Sequence, residues 1–100
     1  MPIKIMVTDQ GAKPIILCDV CGAWIESADD GAYAWNEERP DSGTLCDMVF
    51  VHKGSCLMAY ANEHGSSMGD RALETLFPLL AANLGVDWDA ATRTATSFSR

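Results

Sequence analysis

The sequence predicts a small α+β domain, with β-hairpins and one short helix in its first two-thirds and two further helices at its C-terminal end. Three observations carry that reading. Apolar residues alternate in part along Ile3–Thr8 and cluster at Pro14–Leu17 and Thr44–Val51, as strands require. Leu73, Leu76, Phe77, Leu80 and Leu84 recur at helical spacing. Between these regions stand Cys18, Cys21, His52 and Cys56: a Cys-x2-Cys pair, then thirty residues, then His-x3-Cys. One hundred residues is the length of a single domain, divided here into a β-rich part, 1–65, and a helical part, 66–100.

Each element has a local reason. Ile3–Thr8 and Pro14–Leu17 flank the turn Asp9-Gln10-Gly11-Ala12 and read as a hairpin. It runs into Cys18-Asp19-Val20-Cys21-Gly22, a tight knuckle whose glycine suits a positive φ. A short strand at Ala23–Glu26, a polar turn at Ser27–Gly31 and a strand at Gly31–Trp35 follow, the last with Tyr33 and Trp35 on one face. Asn36–Gly43 is a polar loop. Thr44–Val51 is the strongest strand and delivers His52 at its end. Lys53-Gly54-Ser55 turns the chain into a helix over about Ser55–Glu63, with Cys56 in the first turn, where the positive end of the helix dipole favours a thiolate. Ser66–Asp70 reads as a capping signal for a helix reaching Leu84, which Pro78 kinks or restarts. Gly85 is placed to end it, and Asp87 to cap a last helix over Trp88–Phe98, with Trp88, Ala91, Ala95 and Phe98 on one side.

The spacing of the four side chains is that of a closed zinc site, which takes four sulfur or nitrogen ligands in a tetrahedron. One structural Zn²⁺ per chain is expected, held by Cys18, Cys21, His52 and Cys56. Cys46 shares a strand with His52 but lies six residues away, about 20 Å along a straight strand, and reads as an ordinary packed thiol. His64 lies eight residues beyond Cys56, about 12 Å along a helix, too far to join them.

No apolar run approaches the roughly 18 residues of a membrane-spanning helix. The N-terminus lacks the basic, apolar and small-residue succession of a signal peptide, so a cytoplasmic location with reduced thiols is expected. The formal charge is −7. Three thiolates and one dication would make it −8. Between Cys18 and His64 stand nine acidic residues against Arg39 and Lys53, a surface that repels phosphate.

The run from Ile16 to Tyr60, including CDVCG and FVHKGSC, resembles a treble-clef or zinc-ribbon finger. It is similar to the LIM-type finger, to the nick-sensing finger of poly(ADP-ribose) polymerases, and to small bacterial and phage zinc-finger proteins with a C-terminal Asn-Leu-Gly element, here Asn83-Leu84-Gly85. The resemblance implies the same four ligands and no activity.

The sequence offers little catalysis. Four protein ligands leave no open metal position, and there is no His-Glu-x2-His. The nucleic-acid deaminase signature fails at both ends, since Lys53 and Gly54 follow His52 and Leu17 precedes Cys18. Gly22-Ala23-Trp24-Ile25 does not look like the helix start of a thioredoxin-like pair. The expected role is that of a non-enzymatic interaction or regulatory module, possible in a phage or bacterial setting. It would bind a basic or neutral protein and neither nucleic acid nor membrane. The partner surface is expected on the exposed side of a Met68–Leu84 helix beside Asp70 and Glu74. The alternatives are a nucleic-acid-binding finger and a metal-dependent enzyme.

Overall fold

A computed structural model describes residues 2–37, 43, 45–65 and 68–97. The chain is α+β. Strands β1 (Ile3–Thr8) and β2 (Gly11–Ile16) form a two-stranded antiparallel sheet. Strands β3 (Gly31–Asn36), β4 (Met48–His52) and β5 (Met68–Ala72) form a second antiparallel sheet in the order β4-β3-β5. Helix α1 (Ser55–His64) follows β4, and helices α2 (Leu76–Leu84) and α3 (Trp88–Thr96) close the chain. Among the described residues no helix is long and apolar enough to cross a membrane.

The first hairpin forms as its sequence requires, with Ile3 opposite Ile16 and Thr8 opposite Gly11. It packs chiefly on itself. Beyond it, Leu17 and Trp24 make a single bridge in place of the short strand expected at Ala23–Glu26. Ser27–Gly31 holds one turn of 3-10 helix, Ala28–Asp30, capped by Ser27 Oγ, which accepts the Asp29 N–H at 3.2 Å.

The core lies where β3 is covered from both sides. Cys18, Ile25, Ala32, Tyr33, Phe50, Val51, Leu73 and Leu76 make one buried cluster. Tyr33 stands opposite Phe50 on β4, and its ring stacks on Trp35 at 5.8 Å between centroids. Gly31 leaves room for this packing, since a Cβ there would lie 2.6 Å from Leu73 Cδ2. Tyr33 and Trp35 are thus core and core-edge residues.

Met68–Ala72 departs from the expected helix. It is a strand, paired along its whole length with β3 from Asn36 opposite Met68 to Ala32 opposite Ala72. The β-rich part therefore extends past residue 65 to Ala72. Without β5, the second edge of a buried strand would carry unpaired N–H and C=O groups. Gly69 stands opposite Trp35, and a Cβ at that position would meet the indole at 2.6 Å. A residue that weakens a helix is here the one that admits the tryptophan. The proposed capping residues Ser66 and Ser67 lie outside the described residues, as do Thr44, Phe98 and much of the 36–43 loop.

After a 3-10 turn at Leu73–Thr75, α2 begins afresh at Leu76. Pro78 falls in its first turn, where a missing N–H costs nothing, so the proline marks a restart. Gly85 ends α2 at φ +69°, with its own N–H on Ala82 O and the Val86 N–H on Ala81 O at 2.8 Å, a Schellman closure. Asp87 Oδ1 accepts the Ala90 N–H at 3.1 Å and caps α3 as expected. Leu76 and Ala81 of α2 are buried, whereas α3 has no buried residue.

Candidate metal centre

The site is assembled by three short segments that the fold clamps together. The knuckle closes between the two ends of the Leu17–Trp24 bridge. Cys18 N–H donates to Ala23 O at 2.8 Å, and Gly22 N–H donates to Cys18 O at 2.9 Å. Gly22 takes φ +77°, a conformation few other residues adopt without strain. The N–H groups of Val20 and Cys21 both point at Cys18 Sγ at 3.4 Å, ready to stabilise a thiolate.

Asp19 ties the knuckle to β4. Its N–H donates to Phe50 O at 2.7 Å, and its Oδ2 accepts the Phe50 N–H at 2.8 Å. This two-way clasp fixes Cys18 and Cys21 beside the end of β4, two residues before His52. A second clasp, from Lys53 N–H to Asp30 O at 2.7 Å, holds the strand exit. The chain then turns at Gly54, and Cys56 enters from the first turn of α1.

His52 is oriented from behind. Its Nε2 lies 3.2 Å from the Trp24 carbonyl, which can only accept, so Nε2 carries the proton and donates. Nδ1 is left facing the sulfurs, 3.4 Å from Cys21 Sγ and 3.9 Å from Cys56 Sγ. Such a carbonyl is the usual support of a metal-binding imidazole.

Cys18, Cys21, His52 and Cys56 form a group that could hold one metal ion, their ligand atoms all lying within 4.8 Å of one another. Among the described residues it is the one such group. The fit can be tested on its edges. A tetrahedron with sulfur bonds of about 2.3 Å and a nitrogen bond of about 2.0–2.1 Å has edges of roughly 3.6–3.8 Å. The observed sulfur–nitrogen separations of 3.4 and 3.9 Å bracket that value.

The electrostatics call for a cation. Burial resists charge on Cys18, but the N–H groups of Cys21, His52 and Val20 and the His52 side chain outweigh it, and its thiol falls from 9.0 to about 6. The hydrogen bond to Cys18 lifts His52 above its ordinary value; burial opposes this, and the Trp24 carbonyl reinforces it. Cys56 is pushed up to about 11, first by burial and then by its sulfur neighbours Cys18 and Cys21. Three thiolates cannot share this space without a positive charge among them, and a bound dication would supply it.

The other sequence candidates fall elsewhere. Cys46 is not a packed thiol: it is exposed and precedes β4, which begins at Met48. The reason is pairing, because β3 meets β4 only as far as Trp35 opposite Met48. His64 packs against Tyr60 with its ring tilted by 38° and the centroids 4.3 Å apart. Asp70 and Glu74 are both exposed, but Asp70 lies on edge strand β5 and Glu74 in the 3-10 turn, so no Met68–Leu84 helix presents them. Sequence reasoning missed Asp19 and the Trp24 carbonyl as supports of the site. An acidic residue inside the Cys-x2-Cys pair was the one visible hint.

The chain matches no protein-family model, no curated protein and no solved structure.

Proposed function

We propose that this chain is a zinc-stabilised domain, without catalysis of its own, that works by binding another protein. The observation that carries the reading is the convergence of exactly as many protein donors as a tetrahedral ion accepts. Three sulfurs and one imidazole are a donor set suited to zinc, and four of them complete its coordination in the manner of a structural site. One Zn²⁺ per chain follows.

Charge supports a protein partner over a nucleic acid. The nine acidic and two basic residues between Cys18 and His64 give the finger no means of releasing counterions from a phosphate backbone. The scattered cations do not rescue it. Lys53 follows β4 while Arg71 lies on β5, on opposite edges of one sheet. Lys13 and Arg71 are each set over a tryptophan, Trp24 and Trp35 respectively. The partner carries a basic or neutral surface, and the exposed Asp70 and Glu74 are the acidic side chains we assign to meet it.

Two measurements test the reading. Elemental analysis of the native protein should give one zinc per chain; none, or two, would overturn the metal assignment. Mobility shifts with duplex and single-stranded DNA at about 150 mM salt should show no complex, since phosphate binding needs several cations on one surface. A shift that disappears as salt rises would replace the protein partner with a nucleic acid.

A further inference from the structure

The face between α2 and α3 is built like half of an interface. Phe77, Leu80, Leu84, Val86, Trp88 and Ala91 line much of an open groove of about 410 Å³. None of the groove's lining residues is charged. Leu84 is 73% exposed, Trp88 51% and Leu80 44%. With Phe77 and Val86 these fractions leave roughly 500 Å² of residue surface in water, in the upper part of the about 300–600 Å² range of a monomer's largest apolar patch, which is often a functional one.

We propose that a second copy of this chain covers this face, in a two-fold dimer. Three features favour a copy over a foreign partner. First, the groove and the knobs that would fill it belong to the same face: Leu84 and Trp88 project beside the hollow they help to line, which is the self-complementarity a two-fold interface needs. Second, the charge is in the right place for it. Thr75–Val86 holds no charged residue, and α3 carries one acid and one base, Asp89 and Arg93, in a chain of net charge −7. Two copies can meet here without opposing their acidic fingers. Third, the area suits a dimer. About 500 Å² supplies the apolar centre of a standard patch of about 800 Å² per partner.

The test is sedimentation velocity of the metal-loaded full chain over a concentration series. The expected species is twice the 10.8 kDa chain, populated further as concentration rises. Leu84→Glu should return the protein to chain mass with an unchanged circular dichroism spectrum, because that side chain is exposed in the single copy. Val7→Glu is the matched control. Val7 is apolar and 76% exposed on the first hairpin, and its substitution should leave the dimer intact. Raising the salt should hold or strengthen the dimer, because it screens repulsion between two acidic chains. The proposal is overturned by a protein that stays at chain mass throughout. It is equally overturned if Val7→Glu dissociates the dimer and Leu84→Glu does not, or if salt dissolves it.

Discussion

Val51 and Leu84 are aliphatic residues in strongly apolar stretches, and they fare oppositely. Val51 is fully buried at the centre of the finger, while Leu84 stands largely in water at the end of α2. The difference lies in what holds the opposing surface in place. Around Val51, Asp19 clasps the knuckle to β4, β5 pairs with β3, and the four-residue candidate metal group gathers the knuckle, the end of β4 and the start of α1. Around Leu84, α3 leans on α2 with no buried side chain of its own. In a chain this small, apolar burial leaves little margin over chain entropy, and the additional links that hold an opposing surface in place lie in the finger.

The largest effect should come from breaking one of those links. Cys18→Ser or Cys56→Ser should abolish metal binding and the cooperative fold together, since structural zinc contributes about 10–16 kcal/mol in small metallo-domains. Elemental analysis with near-ultraviolet circular dichroism reads both losses. Cys46→Ser should keep the metal, and the reverse pattern would show the ligand assignment to be wrong.

The comparison itself is sharpened by truncating its two members. Val51→Ala should cost about 2–4 kcal/mol in urea unfolding, as a cavity in a packed core. Leu84→Ala, measured at a dilution where single copies prevail, should cost under about 0.5 kcal/mol, as an exposed substitution. Equal losses would mean that the helical end is as tightly held as the finger.

Proton competition comes next. Cys56, with its thiol near 11, must release its proton to solvent before it can ligate at any pH below that value. His52, raised above its ordinary value by its hydrogen bond to Cys18, adds a second proton wherever its imidazole is still charged, and Cys18 adds another below about 6. Each proton displaced lowers affinity as pH falls, so metal affinity should rise at least about tenfold per pH unit from pH 6 to 8. Competition with a chelator at several pH values measures this, and a flat profile would contradict the thiol assignment.

The most local effect should be that of Asp87→Ala. It removes the cap of α3 and should cost about 1 kcal/mol of local helix stability. Amide exchange should quicken in Trp88–Thr96 and stay unchanged in β3. A response in β3 would join the two regions that the comparison separates.

The site was legible in the sequence because metal ligation imposes fixed spacings, and Cys18, Cys21, His52 and Cys56 carry them in full. The first hairpin, α1, the Gly85 stop and the Asp87 cap were legible for a similar reason, each being set by residues within a few positions. Met68–Ala72 was not. Its five residues carry no strand pattern, and its structure is decided by the open edge of β3 more than thirty positions earlier. Cys46 was misplaced because the apolar run at 44–51 says nothing about how far β3 extends to meet it. The clasp of Asp19 on Phe50 is likewise a contact across thirty-one positions.

Cys18 and Cys21 lie three residues apart, yet one sulfur closes on the core and the other faces solvent. Of the four side chains Cys21 is the most open to a competing thiol or chelator, and Cys18 the least. With a metal held there, freeing Cys18 would mean loosening Phe50 and Val51, which share its buried cluster. Metal departure from such a centre would be gated by breathing of the protein interior, so that its lifetime reports local unfolding as much as coordination strength.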